Sequence, residues 1–244
     1  MSNNSSRQHE PSRIVKLNDE DNVRKILTDT LFGLWATVNN LSRLRPSSPE
    51  RYRVTVFGSA RPDSEHFVYQ QVKRMCAALS ALGCDIVTGG GPGLMQAANE
   101  GAREAAAGGQ SIGIRVELPF EQSVNPFVAQ AFEHESFFTR LHQFVLMSDA
   151  YIVAPGGIGT VLETMMIWQL LQVRHLESTP LILVGPMWKG LVDWARAAMR
   201  RPGFELAGAH DLDIPSCVDD ADQAIAIVSE HHERWRGGQG AVSR

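Results

Sequence analysis

The stretch APGGIGTVLE, Ala154 to Glu163, combines three glycines with a threonine and a carboxylate. The segment before it, DAYIV, is strand-like, and the segment after it, TMMIWQLLQV, is helix-like. Glycine lets backbone N–H groups approach an anion closely, and the amino end of the following helix carries partial positive charge. The expected guest is therefore a phosphate group, and the residues predicted to bind it are Gly156, Gly157, Ile158, Gly159 and Thr160.

Two further glycine-bearing turns follow predicted strands, namely FGSAR (Phe57–Arg61) and TGGGPG (Thr88–Gly93). A lone turn of this kind also serves tight strand–helix packing, whereas three turns at one edge favour a phosphate site. The predicted contacts from these turns are Ser59, Gly90, Gly91 and Gly93, with Arg61 as a weaker candidate. The patterns GxxxxGK[ST] and GxGxxG do not occur in these turns, so a nucleoside triphosphate or a dinucleotide is disfavoured against a monophosphate compound.

Glu163 and Arg140 each have two interpretations. Thr160 and Glu163 have the T-x-x-E spacing of a capping box, in which the carboxylate closes the start of a helix. The alternative is a carboxylate that serves chemistry beside the glycine turn, and the two roles are compatible. Arg140 follows the predicted start of a helix near Ser136, either as a solvated surface charge or as a cation that faces the ligand.

The segments around these turns alternate between strand-like and helix-like patterns. RVTVFG, DIVTGGG, SIGIRVEL, DAYIVA and TPLILVG are short apolar runs separated by helical periods. This alternation predicts an α/β protein with a Rossmann-like, doubly wound parallel sheet. Strand carboxyl ends and helix amino ends share one edge of such a sheet, so we expect Arg140 and Glu163 to point toward the glycine turns.

The chain is predicted to form one such domain with an N-terminal helical extension. Apolar residues recur at helical spacing from Asp21 to about Leu44, ahead of the first strand. The predicted organisation is a disordered N-terminus at 1–18, a helical arm at 19–46, the Rossmann-like domain at 47–235 and a disordered tail at 236–244.

Composition bounds the class of partner. The chain has 244 residues, 43% of them hydrophobic, and a formal net charge of -4, so no global basic field favours nucleic acid or a membrane surface. Three scattered cysteines without CxxC spacing favour reduced thiols over zinc ligands or disulfides. With no signal-like N-terminus and no long apolar run, we predict a cytoplasmic protein. No set of histidines, cysteines and carboxylates has the spacing of metal ligands, so no metal or cofactor is expected.

The motifs resemble a known family. PGGIGTVLE is similar to the PGGxGTxxE signature of the LOG ("Lonely guy") family, the cytokinin riboside monophosphate phosphoribohydrolases and related bacterial nucleotide nucleosidases. VFGSARP, VTGGGPGLMQAANEGA and IGIRVELPFEQSVNP resemble that family too, and the match covers about Arg53 to Gly185. The resemblance implies a Rossmann-like fold and hydrolysis of a nucleoside 5′-monophosphate, such as AMP, to a free base and ribose 5-phosphate.

The resemblance also implies roles for residues. Arg140 and Glu163 would be catalytic, and Gly156, Gly157 and Gly159 with Thr160 would form the phosphate loop. The family usually has Arg-Lys in a segment like FFxRK, whereas this chain reads FFTRL, so Leu141 stands where lysine is expected. Loss of that cation favours an alternative function, a LOG-like binding protein such as a nucleotide sensor or a molybdenum-cofactor carrier.

Three further expectations complete the sequence-based picture. The label lysine decarboxylase, often attached to this signature, is disfavoured because that chemistry needs a lysine Schiff base and no lysine lies in a glycine turn. The helix at 164–173 is apolar nearly all round, which favours a homodimer or higher homo-oligomer over deep burial under the N-terminal helix. The candidate pocket walls that would select the base are Met95, Glu117, Phe120 and Phe138.

Overall fold

The computed structural model describes residues 20–21, 23–25, 27–30, 51–105, 108–116 and 124–242. The chain divides into two units, Met1–Ser47 and Ser48–Arg244. In the first unit, the described residues 20–21, 23–25 and 27–30 are helical, in agreement with the start of the predicted arm. The predicted disordered segment 1–18 and the rest of the arm lie outside the described residues.

The second unit is built on a parallel sheet of seven strands in the order β4-β3-β2-β1-β5-β6-β9, which confirms the predicted α/β, Rossmann-like class. Four of its strands are short runs of buried residues, as expected for a sheet covered on both faces. The strands are β1 (Arg53–Phe57), β2 (Asp85–Thr88), β3 (Ser111–Val116), β4 (Gln130–His134), β5 (Ala150–Val153), β6 (Leu181–Val184), β7 (Arg200–Arg201), β8 (Phe204–Glu205) and β9 (Pro215–Val218).

The strand order reverses beside β1. The chain runs from β1 outward through β2 and β3 to β4, returns to the other side of β1 as β5, and continues through β6 to β9. Val54 pairs with Ala150 and Phe57 with Val153, so the turns that follow β1 and β5 leave the sheet side by side. Open α/β sheets bind ligands in the crevice at such a reversal.

Helices cover both faces of the sheet. On one face, apolar residues of α1, α2 and α7 pack against the sheet in one core that includes Leu79, Leu94 and Val228. On the other face, α3, α4 and α5 build a second core that includes Phe144, Ile167 and Trp188. The helices are α1 (Phe67–Ala81), α2 (Leu94–Glu104), α3 (Phe137–Met147), α4 (Ile158–Gln172), α5 (Pro186–Met199), α6 (Ala209–Leu212) and α7 (Ala221–Val242).

The structure differs from the predicted elements in two respects. Strands β4 and β9, the small β7–β8 hairpin and the short helix α6 were not predicted. The last helix also continues to Val242, so the predicted disordered tail is wrong for residues 236–242. Residues 243–244 lie outside the described residues. Extending a helix that is already formed costs little, and this explains how the last turns tolerate Gly237 and Gly238. Within the described residues, no helix combines the length and apolar character needed to cross a membrane.

Candidate functional site

The three glycine turns are joined at the carboxyl edge of the sheet. The N–H of Ser59, after β1, donates to the carbonyl of Pro155, after β5, at 3.1 Å, and the Ser59 carbonyl accepts from the N–H of Leu94 at 2.8 Å. Gly93 packs so closely on this strand end that a Cβ atom there would lie 2.5 Å from the Ser59 oxygen, and its φ is 69°. Only glycine fits this conformation and this spacing.

Arg140 lies in the first turn of α3 and reaches the rim between these turns. Ser136 caps the helix, since its Oγ accepts from the N–H of Thr139 at 3.3 Å, as expected for a helix that begins near Ser136. The Arg140 Nε donates to the Ile114 carbonyl on β3 at 2.9 Å, and its guanidinium lies 5.2 Å from the centre of the Phe144 ring. With 12% of its side chain exposed, Arg140 is a largely buried cation fixed by these contacts rather than a solvated surface charge.

Glu163 faces Arg140 from α4. Its Oε1 lies 3.2 Å from Arg140 Nη1, and 12% of its side chain is exposed. Burial raises the pKa of this carboxyl group from 4.5 to about 7, although the Arg140 charge and hydrogen bond act in the opposite direction. A carboxyl group with such a pKa exchanges its proton near neutral pH, as a general acid or base must.

The capping-box interpretation of Glu163 is wrong. Helix α4 begins at Ile158 with Gly157 as its N-cap, and no side chain caps it. Glu163 therefore lies in the second turn, beyond the reach of the first N–H groups, and its carboxylate turns to Arg140 instead. The sequence was misleading because Thr160 has the type of an N-cap residue but lies inside the helix, buried against Gly156.

The start of α4 exposes the predicted phosphate loop. A Cβ atom at Gly156 would overlap the Thr160 side chain, so this glycine lets the turn close tightly. Gly157 and Gly159 face open space, and Ile158 between them is 87% exposed. The first N–H groups of a helix have no carbonyl partner within it, so this amino end offers free donors to an anion.

The turn after β2 forms another wall beside Arg140. A Cβ atom at Gly89 would overlap the Arg140 guanidinium and lie 2.7 Å from Met95 Sδ, so the turn and these two side chains are in direct contact. Gly90 has a φ of 73°, and its carbonyl accepts from the Asn125 N–H at 2.8 Å. Sequence reasoning named Gly90, Gly91 and Gly93 here but missed Gly89 and Asn125.

The remaining predicted residues differ in how far they are exposed to solvent. Arg61 is exposed, and the hydrogen bond recorded for it runs from its N–H to Ser59 Oγ. Phe138 is also strongly exposed, at the start of α3. Leu141, in contrast, is 8% exposed and lies on the buried side of α3. The predicted walls Glu117 and Phe120 lie outside the described residues.

His134 is half-buried at the end of β4. Burial lowers its pKa, and the charge of Arg140 lowers it further. No local sequence pattern predicts that His134 is half-buried here, because its location follows from the pairing of β4 with β3.

A family model described as "possible lysine decarboxylase", the model of the LOG family, matches residues 95–228, more than half of the chain. The chain belongs to the LOG family. The label decarboxylase finds no support in the lysine nearest to α2, because Lys73 is held by Glu100 and Glu104 at 2.8 and 2.7 Å. That ammonium group lies in an ion-pair network between α1 and α2, whereas Arg140 and Glu163 lie on the other face of the sheet.

Solved structures share the LOG fold. The molybdenum cofactor binding protein from the phototrophic bacterium Rippkaea orientalis is similar over 75% of this chain and 98% of its own, with a TM-score of 0.58 and 19% identity. The molybdenum cofactor carrier protein from Chlamydomonas reinhardtii is similar over 75% of this chain and 99% of its own, with a TM-score of 0.57 and 18% identity. No curated protein sequence matches the chain. At these identities the likeness concerns the fold, and function has to be argued from the site.

Proposed function

We propose that this LOG-family chain hydrolyses the N-glycosidic bond of a nucleoside 5′-monophosphate, AMP or a cytokinin riboside monophosphate-like compound, to a free base and ribose 5-phosphate. The observation that carries the proposal is the buried pair of Arg140 and Glu163, 3.2 Å apart, beside the open amino end of α4. A carboxylate, a guanidinium and a phosphate-sized set of free N–H groups are the parts that this reaction needs.

Glu163 supplies the charge that the transition state requires. Cleavage of the bond between ribose and base passes through a cation-like sugar, which a nearby carboxylate stabilises. The same carboxylate orients the attacking water and accepts its proton, which requires the ionised form. Its pKa of about 7 leaves a large share of Glu163 ionised at neutral pH while keeping it basic enough to take a proton.

Arg140 and the glycine turns hold the substrate in this proposal. The guanidinium is anchored to the Ile114 carbonyl through Nε and to Glu163 through Nη1, and its remaining N–H groups bind ribose or phosphate oxygens beside the acid. The 5′-phosphate binds the N–H groups at Gly157, Gly159 and Thr160, where the helix dipole favours negative charge. The base then extends toward the turn after β2.

The test is a nucleobase-release screen. Wild-type protein is incubated with AMP, CMP, GMP and UMP, and free base is measured by chromatography. We expect release from at least one nucleotide and a loss of about 1,000-fold in Glu163→Gln, which keeps the side-chain volume but cannot ionise.

The control for this screen is Glu133→Gln. Glu133 is an exposed carboxylate on β4 that pairs with Arg115 at 3.4 Å, so its loss should leave turnover unchanged. Unchanged turnover in Glu163→Gln would remove Glu163 from the mechanism.

A second candidate is a binding protein for a phosphorylated ligand, such as a nucleotide sensor or a molybdenum-cofactor carrier. The observation that favours it is the burial of Leu141, which leaves Arg140 without the second cation of the family pattern. The solved neighbours described as molybdenum cofactor binding and carrier proteins add support, because the same fold is used there for binding. Tight nucleotide binding by calorimetry, with no base released from any nucleotide, would favour this candidate.

We also infer that a second copy of the chain covers α4. Leu162 and Met165 on this helix, and Val173 directly after it, are exposed apolar residues, while Ile167 and Trp168 are buried in the subunit's own core. Such a helix has more apolar surface than one sheet face needs. Sedimentation at micromolar concentration should show a dimer or larger species, and a monomer there would contradict the inference. A cytoplasmic location stays a prediction.

A further inference from the structure

A buried asparagine donates hydrogen bonds to the carbonyl groups of the turn after β2 and fixes the turn in place. Asn125 is 7% exposed, and its N–H donates to the Gly90 carbonyl at 2.8 Å. Its side-chain Nδ2 donates to the carbonyls of Gly90 and Gly91 at 3.1 and 3.0 Å. One residue, far along the chain from the turn, therefore fixes two successive carbonyl groups.

A second buried amide supports the first. Asn99 is fully buried, and its Oδ1 accepts from Asn125 Nδ2 at 2.9 Å and from Thr88 Oγ1 at 2.7 Å. Thr88 Oγ1 in turn accepts from the Gly90 N–H at 2.9 Å, and Asn99 Nδ2 donates to Ser111 Oγ at 2.9 Å. Buried polar networks whose groups are satisfied in this way are rigid.

This network sets the direction of the Gly90–Gly91 peptide. The described residues contain no cis peptide bond, and in a trans peptide the N–H points away from the carbonyl. Because the Gly90 carbonyl is turned to Asn125, the Gly91 N–H is turned away from it. The Gly91 carbonyl is held in the same direction, and the next residue, Pro92, has no N–H to orient.

The free side of the turn faces the candidate site. Gly89 contacts the guanidinium of Arg140, and a Cβ atom at Gly91 would lie 2.8 Å from Met95 Cε. Three successive glycines have many conformations of similar energy, and a reversed Gly90–Gly91 peptide would present a carbonyl oxygen to the ligand in place of an N–H group. An external clamp is needed to keep one conformation populated before the ligand arrives.

We propose that Asn125 is a positioning residue that holds the Gly90–Gly91 turn in the conformation that accepts the nucleotide. The proposal rests on the proposed function, in which this turn lines the nucleotide pocket. Asn125 acts through the turn and does not touch the substrate itself. Its loss should therefore weaken ligand binding and leave the chemistry of Arg140 and Glu163 largely intact.

The experiment compares Asn125→Ala with the control Thr55→Val. Thr55 is fully buried on β1 and hydrogen-bonded to Ser148, so Thr55→Val removes a buried hydrogen bond away from the turn. Hydrogen exchange of the ligand-free proteins is followed by mass spectrometry over residues 86–95. AMP binding is measured by calorimetry in a Glu163→Gln background, where turnover is blocked, and kcat and KM are measured with Glu163 present.

We expect Asn125→Ala to speed exchange at the turn, to raise both the Kd and the KM for AMP about tenfold, and to leave kcat within a few-fold. Thr55→Val should lower thermal stability without changing exchange at the turn or affinity. Asn125→Ser, which replaces the amide donor with a hydroxyl donor, serves if the alanine variant does not fold, and it should recover part of the affinity.

Two results would overturn the proposal. Unchanged exchange at residues 86–95 would mean that the turn does not depend on Asn125, and faster exchange with unchanged AMP affinity would mean that binding does not depend on the turn's order. A wild-type chain that releases no base from AMP, CMP, GMP or UMP would end the proposed function instead, and the exchange comparison would still decide whether Asn125 holds the turn.

Discussion

Two buried carboxylates at opposite edges of the same sheet are held in different ways. Asp85, at the amino edge, is 1% exposed, and its Oδ1 accepts from Arg51 Nε at 2.6 Å and from the Gln110 N–H at 2.8 Å. Its Oδ2 lies 3.7 Å from the Arg53 Nε. Glu163, at the carboxyl edge, has one ion-pair partner among the described residues, Arg140 at 3.2 Å.

The number of donors separates a structural pair from a reactive one. Several donors around Asp85 replace the water that its charge has lost, and they join the start of β2 to neighbouring segments. Glu163 loses water to a similar extent but gains one cation, and burial then dominates and raises its pKa to about 7. Carboxyl groups left in this state are candidates for proton transfer.

The largest effects are expected when each of the two ion pairs is broken by mutation and the changes in activity and stability are compared. Arg140→Ala should lower kcat/KM for nucleotide hydrolysis by about 100-fold or more, because the sugar and phosphate lose their anchor beside the acid. Its cost in the free energy of unfolding should be small, since Glu163 can take up a proton instead of remaining a buried unpaired charge. Asp85→Asn should do the reverse and lower the free energy of unfolding by about 2 kcal/mol with kcat/KM unchanged.

Denaturant unfolding measures the free energy of unfolding of both variants, and steady-state kinetics measures their kcat/KM. The comparison fails if Arg140→Ala unfolds as easily as Asp85→Asn while retaining activity, or if Asp85→Asn loses turnover in its folded fraction.

Strands with a local apolar pattern could be predicted from the sequence, whereas strands without such a pattern could not. The fold follows from continuous apolar strands such as AYIV and LILV, whose pattern is local. Strand β4, QAFEH, was missed because it pairs on one side with β3 and is largely exposed, so it lacks an apolar run. Strand β9 was missed because it starts with Pro215, a residue that disfavours strand interiors.

The candidate site also has features that follow from the sequence pattern and features that depend on contacts between distant segments. Arg140 and Glu163 could be brought to one edge from βα geometry alone, since each lies near a helix amino end. Their catalytic and binding roles stay predictions. The contact of Arg140 with Gly89 and the grip of Asn125 on Gly90 depend on how distant segments meet in space, and no spacing in the chain encodes them.

The pH dependence of activity tests the state of Glu163. If the ionised carboxylate is the base, kcat/KM should fall about tenfold per pH unit below about 7 and level off above it. Binding of AMP to Glu163→Gln over the same range separates this effect from titration of the phosphate. A profile that is flat between pH 5 and 8 in kcat/KM would contradict the role of general base.

Stability should respond to pH in the opposite sense. The folded-state pKa of Glu163 lies above its ordinary value of 4.5, so between about 4.5 and 7 the folded protein holds a proton that the unfolded chain releases. The contribution of this group is thus fully present below 4.5 and is lost as pH rises through 7. The stability difference between wild type and Glu163→Gln, from denaturant unfolding at pH 5 and pH 8, should shift in favour of the glutamine variant at the higher pH.

The smallest and most local test concerns Leu141, where the family pattern has a lysine. A second cation within reach of Glu163 would give that carboxylate more donors and would lower the pKa of Glu163. We expect that a lysine placed here would not reach it, because adjacent residues of a helix do not face the same way and Arg140 is the one that points to Glu163. Leu141 is 8% exposed on the side of α3 opposite to solvent. Leu141→Lys should therefore lower the free energy of unfolding by about 2 kcal/mol without raising kcat/KM, since it buries an ammonium group without a partner. Leu141→Met, which preserves volume, should cost less than about 1.5 kcal/mol. A lysine variant that is as stable as wild type and shifts the activity profile to lower pH would show instead that position 141 opens onto the Glu163 carboxylate.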